Sequence, residues 1–358
     1  MVYENRKMKN WLIYGATGYT GVLIVKEAVS RGHKPILGGR SIEKLKPLAE
    51  SLGLSYKVFN LDKPHELEFG LRDIDLVLHC AGPFVHTSHI MIQACLRLGI
   101  NYLDITGEIP VLENTFAHHA KAVESKIALI SGVGFDVVPT DCMAKYVSES
   151  LPGATQLEIA FAAISSPSQG TAKSMVEMLP KGGMIRRSGK LEFYPLGKGS
   201  KKLTFSDGVE RTILPIPWGD LASAFVSTGI PNITTYSHYP ESFVSALPFL
   251  ESSIRYLTDF EIVRTTLQKL IEFIVEGPNE EMRKNGKSLV YVKASDDAGN
   301  SKEAWLETLE GYLFTAKSSL LSVEAVLRSR PVGALTPSLA FGKDFIMQVP
   351  GTMRFDSI

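Results

Sequence analysis

The sequence is poor in cysteine, carries no excess of charge of either sign and has no long uninterrupted hydrophobic run. Only Cys80, Cys95 and Cys142 occur among 358 residues, without a CxxC pair, as is typical of reduced thiols in a cytosolic protein. The 38 basic residues are balanced by 38 acidic ones, so no net field attracts nucleic acid. No apolar run reaches about 18 residues, the length of a membrane span, and the first residues lack the apolar core of a signal peptide. We therefore expect a cytoplasmic protein that acts on a small molecule.

The composition is 44% hydrophobic and 21% charged, which is ordinary for a globular chain, and the length suggests two domains. Residues 242–275 are richer in apolar side chains than their surroundings, although charges such as Glu251 and Arg255 interrupt them. Core helices are the simplest interpretation of this segment. A lipophilic substrate wall and a weak peripheral contact with a membrane surface are the alternatives.

A glycine-rich heptapeptide, Gly15-Ala16-Thr17-Gly18-Tyr19-Thr20-Gly21, lies between an apolar strand pattern at residues 11–14 and an amphipathic helix pattern from Val22. Gly15 permits a tight turn, Gly18 lets the backbone approach a pyrophosphate, and Gly21 allows the helix to pack closely on the strand. The amides at the N-terminus of such a helix bind phosphate. An ordinary glycine-rich turn is the alternative, but the strand before it and the helix after it favour dinucleotide binding.

The end of the second strand pattern, residues 35–39, indicates which dinucleotide binds. NAD sites carry an acidic residue about 20 positions beyond the glycine loop, whereas this strand ends at Arg40-Ser41. Because a guanidinium pairs with a 2′-phosphate that a carboxylate would repel, we expect NADP. In the alternative, Arg40 is a solvated charge and Ser41 is a helix N-cap, a role that is compatible with a phosphate contact.

Strand and helix patterns alternate up to about residue 138, which predicts a doubly wound parallel sheet of the Rossmann type as an NADP-binding domain, residues 1–138. Ligands of such sheets bind beyond the carboxyl ends of the strands. We expect Asp62 to receive the adenine amino group, and a plain helix cap is the alternative. We expect the nicotinamide ribose to lie against the turn after the fourth strand, and the alternative is that this turn only ends the strand. The residues of the turn are Cys80, Ala81, Gly82, Pro83 and Phe84.

The alternation ceases beyond residue 138, and short strand patterns at residues 191–194, 202–205 and 211–216 follow. Residues 139–314 are therefore predicted to form a second α+β domain on a mainly antiparallel sheet, which binds substrate or mediates dimerisation. A helix beginning near residue 315 is expected to pack back on the first domain.

Two other chemistries are disfavoured by the sequence. The Tyr-x-x-x-Lys pair of short-chain dehydrogenases occurs only at Tyr194 and Lys198, where an intervening proline and glycine oppose a helix. The closely spaced histidine pairs that begin at His86 and His118 lack the carboxylate or cysteine that would complete a ligand set, so we expect no metal site.

Motifs in both halves of the chain resemble those of the saccharopine dehydrogenase-like oxidoreductases, most closely the trans-acting enoyl reductase group. The first half contributes the glycine loop and residues 39–40, 81–84, 102–108 and 134–141. The second half contributes residues 170–174, 217–220, 227–232, 276–283 and 333–337. The resemblance implies an NADP-dependent reductase that acts on an imine, as in saccharopine formation, or on a carbon–carbon double bond of a lipid or polyketide chain.

Either reaction needs a proton donor near the nicotinamide, because negative charge develops on the atom next to the carbon that accepts the hydride. A buried acid in that position has a raised pKa and can serve as the general acid. The candidates lie at strand ends or on the segment that crosses into the second domain: Tyr102, Asp104, Glu108, Asp136, Asp141 and Cys142. As structural alternatives, Asp104 and Asp136 hold loop amides, Asp141 caps a helix and Cys142 is a core residue.

Three further alternatives remain open from the sequence. Trp218 and Asp220 reach the substrate from the second domain, or they form a turn with a buried aromatic anchor. The protein is a reductase of a small or lipid-like metabolite, or a regulator that binds NADP without turnover. True saccharopine formation needs basic side chains for several carboxylates, and four are available: Lys173, Lys181, Arg186 and Arg187. A homodimer is compatible with each of these functions.

Overall fold

The structure is a computed structural model that describes residues 10–163 and 167–358. The first nine residues, on which the expectation about a signal peptide depends, lie outside these ranges. The sequence pattern at residues 155–164 predicts a strand, and its last residue, Ile164, also lies outside these ranges.

The first part of the chain alternates strands and helices as β1 (Trp11–Tyr14), α1 (Tyr19–Ser30), β2 (Ile36–Gly39), α2 (Ile42–Leu52), β3 (Tyr56–Val58), α3 (Pro64–Leu71), β4 (Leu76–His79), α4 (Phe84–Leu98), β5 (Asn101–Asp104), α5 (Ile109–Ala117), α6 (His119–Glu124), β6 (Ala128–Ile130) and α7 (Val138–Glu149). The second part forms β7 (Gln156–Ala163), α8 (Gln169–Met178), β8 (Met184–Arg187), β9 (Lys190–Phe193), β10 (Lys201–Thr204), β11 (Glu210–Pro215), α9 (Asp220–Thr228), β12 (Asn232–His238), α10 (Glu241–Asp259), α11 (Glu261–Ile274), α12 (Glu280–Asn285), β13 (Lys287–Ser295), β14 (Ser301–Leu309), α13 (Gly311–Ser329), β15 (Gly333–Ala334), α14 (Pro337–Phe341) and β16 (Met353–Phe355).

The first sheet is parallel throughout and has the strand order β15-β6-β5-β4-β1-β2-β3. Strands β1 and β4 are buried along their whole length, as expected for the centre of a parallel sheet that is covered on both faces. The chain reverses its direction of winding between β1 and β4, so the ligand crevice lies beyond their carboxyl ends. The predicted doubly wound sheet is confirmed.

Helix α13 covers one face of this sheet and packs against α1. Its buried stripe includes Leu320, Val323 and Val326, none of which is exposed. Near its N-terminus, the Thr315 hydroxyl accepts a hydrogen bond of 2.9 Å from the amide of Phe135, and the Ser318 hydroxyl donates one of 2.9 Å to the carbonyl of Val133. These bonds fix α13 to the segment that leads from β6 into α7.

The second sheet has the order β10-β11-β12-β7-β13-β14-β16, and β8 and β9 extend it from β12. Strands β7 and β12 are parallel, and the other neighbouring pairs are antiparallel. Helix α7 packs on β13 and β14, and α9 packs on α7. The mainly antiparallel second sheet is therefore also confirmed.

Helices α10 and α11 form a hairpin that lies at the surface, contrary to the interpretation of residues 242–275 as core helices. One face of α10 buries Val244 and Leu247, and α11 packs against α8. Large apolar side chains nevertheless remain exposed, including Ile262 at 76% and Phe273 at 87%. In the part of the chain that the structure describes, no helix has the length and apolar composition required to cross a bilayer.

Candidate active site

The glycine loop packs tightly at the carboxyl end of β1. Gly15 has φ +86°, and a Cβ on it would lie 2.8 Å from the amide nitrogen of Ala81. A Cβ on Gly21 would overlap the carbonyl oxygen of Gly15. Glycine at these two positions therefore lets the loop pack between the turn after β4 and the first turn of α1.

The N-terminus of α1 has backbone amides available for a ligand. Its N-cap is Gly18, which has no side chain to accept a hydrogen bond, and its first turn contains no acidic residue. By contrast, Ser41 caps α2, Glu310 caps α13 and Thr336 caps α14. Free amides at the positive end of a helix dipole, reached through a glycine loop, fit the pyrophosphate of a dinucleotide.

The loop places Ala16, Thr17, Tyr19 and Thr20 around this helix N-terminus. Ala16 is buried, whereas the two threonines and Tyr19 are partly exposed beside the exposed Gly18. The whole predicted phosphate loop thus lies at the crevice edge of the sheet.

Arg40, Ser41 and Asp62 lie together beyond the ends of β2 and β3. Arg40 and Asp62 are both exposed, and the charges of both act on the Tyr14 hydroxyl. Burial, the largest cause, raises the pKa of Tyr14 to about 12, with Arg40 lowering it and Asp62 raising it. The Ser41 hydroxyl accepts a hydrogen bond from the amide of Lys44 and donates one of 2.8 Å to Glu43. Ser41 is therefore a helix N-cap, as the alternative interpretation proposed. In a phosphate contact, the Ser41 hydroxyl would donate to the phosphate instead of to Glu43.

The turn after β4, residues 80–84, lies directly against the glycine loop. The amide of Cys80 donates a hydrogen bond of 2.7 Å to the carbonyl of Tyr14, at the end of β1. Ala81 and Pro83 are partly exposed, Gly82 is exposed, and Phe84 is buried at the start of α4. The predicted nicotinamide wall is thus adjacent to the predicted phosphate loop.

Glu108 connects this turn to the second domain. Its Oε1 accepts hydrogen bonds from the amide of Phe84 at 2.9 Å and from the Ser174 hydroxyl at 2.8 Å. Its Oε2 accepts a bond of 2.7 Å from the amide of Val85. These three donors suit an ionised carboxylate, which caps the N-terminus of α4 favourably.

Tyr102 and Asp104 lie inside the protein, out of reach of a substrate. Asp104 accepts hydrogen bonds from the Tyr102 hydroxyl, the Ser131 hydroxyl and the amides of Thr106 and Gly132, at 2.7 to 3.0 Å. Neither side chain has any exposed surface. Asp104 therefore holds loop amides, as its structural alternative proposed, and fixes the turn that carries Glu108.

Asp141, Cys142 and Asp220 also lie in the core rather than in the crevice, and none of the three is exposed. Asp141 accepts a hydrogen bond of 2.8 Å from the amide of Ser338, whereas Val137 occupies the N-cap position of α7. Burial raises the pKa of both carboxyl groups and of the thiol. Asp141 therefore does not cap the helix that starts at Pro139, although it accepts from the first turn of α14. Asp220 is not a substrate contact, and Cys142 is a core residue. The Trp218 ring packs at a tilt against Phe161, with centroids 4.5 Å apart, as an aromatic anchor does.

Asp136 differs from Asp104, Asp141 and Asp220 because the residue as a whole is only partly buried. It lies against Gly107, where a Cβ would come within 2.7 Å of the Asp136 Cβ. No hydrogen-bond donor from residues 10–163 and 167–358 contacts it. Burial raises the pKa of Asp136 to about 7, and the nearby Glu108 carboxylate adds to the rise.

Two side chains complete this site that were given no role from the sequence. Ser174 on α8 lies in a recognised motif, but its bond to Glu108 depends on how the two domains meet. Tyr312 in the first turn of α13 accepts a hydrogen bond from the amide of Ser168 at 2.6 Å and bonds Thr171 at 2.8 Å. Its ring lies edge-on to Tyr19, with centroids 5.0 Å apart, and nothing in the local sequence indicates this contact. Within the same described ranges, no group of three or more histidine, cysteine or acidic side chains is arranged to hold a metal ion.

Residues 11–130 match the family model described as the saccharopine dehydrogenase NADP-binding domain. The match covers the strands and helices from β1 to β6. The expectation of NADP as the cofactor is thereby confirmed, together with the resemblance drawn from the motifs of this NADP-binding domain.

Similar proteins extend the comparison. The chain is 27% identical over 179 residues to a saccharopine dehydrogenase-like oxidoreductase of Bos taurus, covering 44% of this chain and 42% of that protein. It is 33% identical over 138 residues to a trans-acting enoyl reductase of Mycobacterium leprae (strain TN), covering 36% of this chain and 33% of that protein. The matched stretch thus spans less than half of either relative.

A solved structure shares the fold of both domains. The saccharopine dehydrogenase (L-Glu forming) of Saccharomyces cerevisiae, in its apo form, superposes with a TM-score of 0.62 at 13% sequence identity. The superposition covers 95% of this chain and 96% of that chain. The second domain therefore follows the NADP-binding domain in an arrangement already seen in a solved protein.

Replacing Arg40 with alanine tests which part of NADPH the NADP-binding domain recognises at the end of β2. We expect NADPH affinity to fall about 10- to 100-fold, because the 2′-phosphate loses a charge-assisted pair, while NADH affinity stays unchanged. Titration followed by nicotinamide fluorescence measures both. Lys46→Ala, which removes an exposed cation one turn into α2, is the matched control. Equal losses for both cofactors would contradict a 2′-phosphate contact.

Asp104 gives a second prediction, which separates a structural acid from a catalytic one. Asp104→Ala leaves four donors without an acceptor and is expected to cost about 3 kcal/mol of unfolding free energy. Asp104→Asn keeps an oxygen for the two amides, and the hydroxyls of Tyr102 and Ser131 can accept from the new amide, so its cost is expected to be about 1 kcal/mol or less. Urea denaturation measures both values. Similar losses from both substitutions would argue against this network.

Proposed function

We propose that the protein is an NADPH-dependent oxidoreductase that reduces a C=C or C=N bond of a small or lipid-like metabolite. The observation that supports it best is the pairing of two unlike acids, Asp136 and Glu108, beside the turn at residues 80–84. A protein that only binds NADP has no need of a protonated acid at this position. Turnover requires one, since hydride transfer leaves negative charge on the neighbouring atom.

The two acids differ in their hydrogen-bond donors. Glu108 accepts hydrogen bonds from three donors. Asp136 receives none from the described residues, is largely surrounded by protein and faces the charge of Glu108. Two carboxyl groups whose surroundings separate their proton affinities are the usual arrangement of an acid and its charged neighbour in an active site.

In the proposed reaction, NADPH supplies a hydride to the electrophilic carbon of the double bond. The bond's electron pair moves to the second atom, carbon or nitrogen, and the Asp136 carboxyl group delivers its proton there. Burial raises the pKa of Asp136 most, and the charge of Glu108 adds to the rise. Glu108 also holds the start of α4, against which the turn at residues 80–84 is positioned. Asp136 then regains a proton from solvent before the next turnover.

The basic side chains proposed for a true saccharopine-type reaction are only partly available. Arg186 is buried and donates hydrogen bonds to the carbonyl of Leu221 and, at 2.7 Å, to that of Gly189. It also pairs with Glu113 at 3.0 Å and lies over the Phe225 ring at 4.4 Å. Arg186 therefore links the second domain to α5 and is not free to bind a substrate carboxylate. This observation favours a substrate with fewer negative charges.

The apolar hairpin supports a lipid-like substrate. Helix α11 packs on α8, the helix that carries Ser174. Glu177, three residues beyond Ser174, accepts a hydrogen bond of 2.6 Å from Gln268 on α11 and lies 3.6 Å from His86 on α4. The exposed apolar side chains of the hairpin thus begin one helix away from the site.

The proposal predicts turnover with a pH dependence set by Asp136. We expect NADPH oxidation with at least one member of a panel of enoyl and imine compounds that carry short and long acyl chains. Because Asp136 must be protonated, the rate of reduction should fall about tenfold per pH unit above about pH 7. Asp136→Asn is expected to lower the rate about 100-fold or more and to abolish the fall in rate above about pH 7. If the protein binds NADPH but turns over no compound of the panel, the result would favour a regulator that binds NADP without turnover.

A stability measurement checks Asp136 without a substrate. Its folded-state pKa lies above the ordinary value of 3.8, so the folded protein binds the proton more tightly than the unfolded chain does. The free energy of unfolding therefore decreases as pH rises from about 4 to about 7. Asp136→Asn should therefore gain stability relative to the wild type between pH 5 and pH 8 in urea titrations. Glu192→Gln, an exposed acid on β9, is the control and should show no such gain. A constant difference between Asp136→Asn and the wild type would contradict the raised pKa.

A further inference from the structure

A segment of the second half of the chain crosses the glycine loop of the NADP-binding domain. We refer to residues 276–283 as the strap; they follow α11 and enter α12. Gly277 has φ +83°, and a Cβ on it would lie 3.0 Å from the ring of Tyr19. The strap therefore contacts the first residue of α1 closely, at the end of the helix where the pyrophosphate is expected.

Arg283 and Tyr19 join the strap to the loop through hydrogen bonds. The Arg283 Nη1 donates to the Tyr19 hydroxyl at 2.8 Å. Both the Tyr19 hydroxyl and Arg283 Nη1 also donate to the carbonyl of Pro278. Within α12, Asn279 caps the first turn by accepting from the amide of Met282 at 2.8 Å. The guanidinium is thus held in a defined position by one side chain and one backbone carbonyl.

Among the described residues Arg283 has no ion-pair partner, and Lys284 lowers the pKa of Glu280 more than the charge of Arg283 does. Glu280, one turn earlier on α12, pairs instead with Lys284 at 2.7 Å. Across residues 10–163 and 167–358, no carboxylate forms an ion pair with Arg283. A cation beside the N-terminus of α1 also repels the positive end of that helix dipole. An anion bound between them would relieve this repulsion and be attracted by both.

We propose that Arg283 is part of the dinucleotide site and that its guanidinium neutralises the pyrophosphate at the N-terminus of α1. Tyr19 is the positioning residue, because its hydroxyl accepts from the guanidinium while its ring is fixed against Gly277 and Tyr312. The second domain thereby supplies a cofactor contact that the NADP-binding domain lacks on its own. The inference rests on the cofactor site of the proposed function, and its tests measure binding rather than turnover.

Arg283→Gln provides the main test, measured as the Kd of NADPH by nicotinamide fluorescence. We expect a 10- to 100-fold weaker Kd, a partial loss in Arg283→Lys and a loss of about threefold in Tyr19→Phe. Lys284→Gln is the matched control, because it removes an exposed cation from the same helix, and we expect less than a twofold change. The salt dependence of the Kd should also become shallower in Arg283→Gln than in the control.

Ligands that carry only part of NADPH separate Arg283 from Arg40. NADH contains the pyrophosphate without the 2′-phosphate, so its affinity should fall in Arg283→Gln and stay constant in Arg40→Ala. Adenosine 2′-monophosphate lacks the pyrophosphate, so its affinity should fall in Arg40→Ala and stay constant in Arg283→Gln. Equal losses for both ligands in Arg283→Gln would show a structural defect and overturn the assignment.

The outcomes also separate this inference from the proposed function. If the wild type binds NADPH and Arg283→Gln binds it equally well, the strap is a structural clamp and only this inference fails. If the wild type binds NADPH and Arg283→Gln loses NADH affinity selectively, the inference holds whether or not any substrate is turned over. If the wild type binds neither NADPH nor NADH, the cofactor site and the inference fail together.

Discussion

The close contact between the glycine loop and the turn after β4 is the constraint on which the rest of the site depends. A Cβ on Gly15 would lie 2.8 Å from the amide nitrogen of Ala81, so this contact exists only without a side chain. This turn leads into the amides of Phe84 and Val85, which donate hydrogen bonds to Glu108. Glu108 also accepts a hydrogen bond from Ser174 in the second domain. One backbone contact between two neighbouring strands thereby positions the expected phosphate site, the expected nicotinamide wall and the acid pair relative to one another.

Hydrogen-bond donors determine what each acid of this region does. Asp104 accepts hydrogen bonds from four donors and is fully buried, so it holds the loops after β5 and β6 together. Glu108 has three donors and acts as an anionic cap. Asp136 has none within the described residues and is only partly buried. The same functional group thus takes three roles within a short stretch of chain, because burial and donors shift the balance between its two protonation states.

The sequence allowed the parallel sheet and the cofactor to be predicted, because both depend on local patterns: apolar strands, a glycine-rich turn and a helix. It could not rank the six candidate proton donors, since the groups that distinguish them come from distant positions such as Ser131, Ser174 and Ser338. Strand β12 was not predicted, because its threonines and serine resemble a polar loop when its parallel partner β7 is not known. The surface position of α10 and α11 likewise follows from tertiary packing, since their apolar content alone resembles that of core helices.

The small strand β15 has a consequence for how the chain reaches its native state. Gly333 and Ala334 pair with β6 at the edge of the first sheet. The amide of Gly333 donates a hydrogen bond of 2.8 Å to the carbonyl of Ile127. Helix α13, which covers one face of the same sheet, immediately precedes this strand. During synthesis, the NADP-binding domain therefore remains without an edge strand and a covering helix until more than 330 residues have been joined. Its maturation must wait for the second domain, which separates the two parts of the first sheet along the chain.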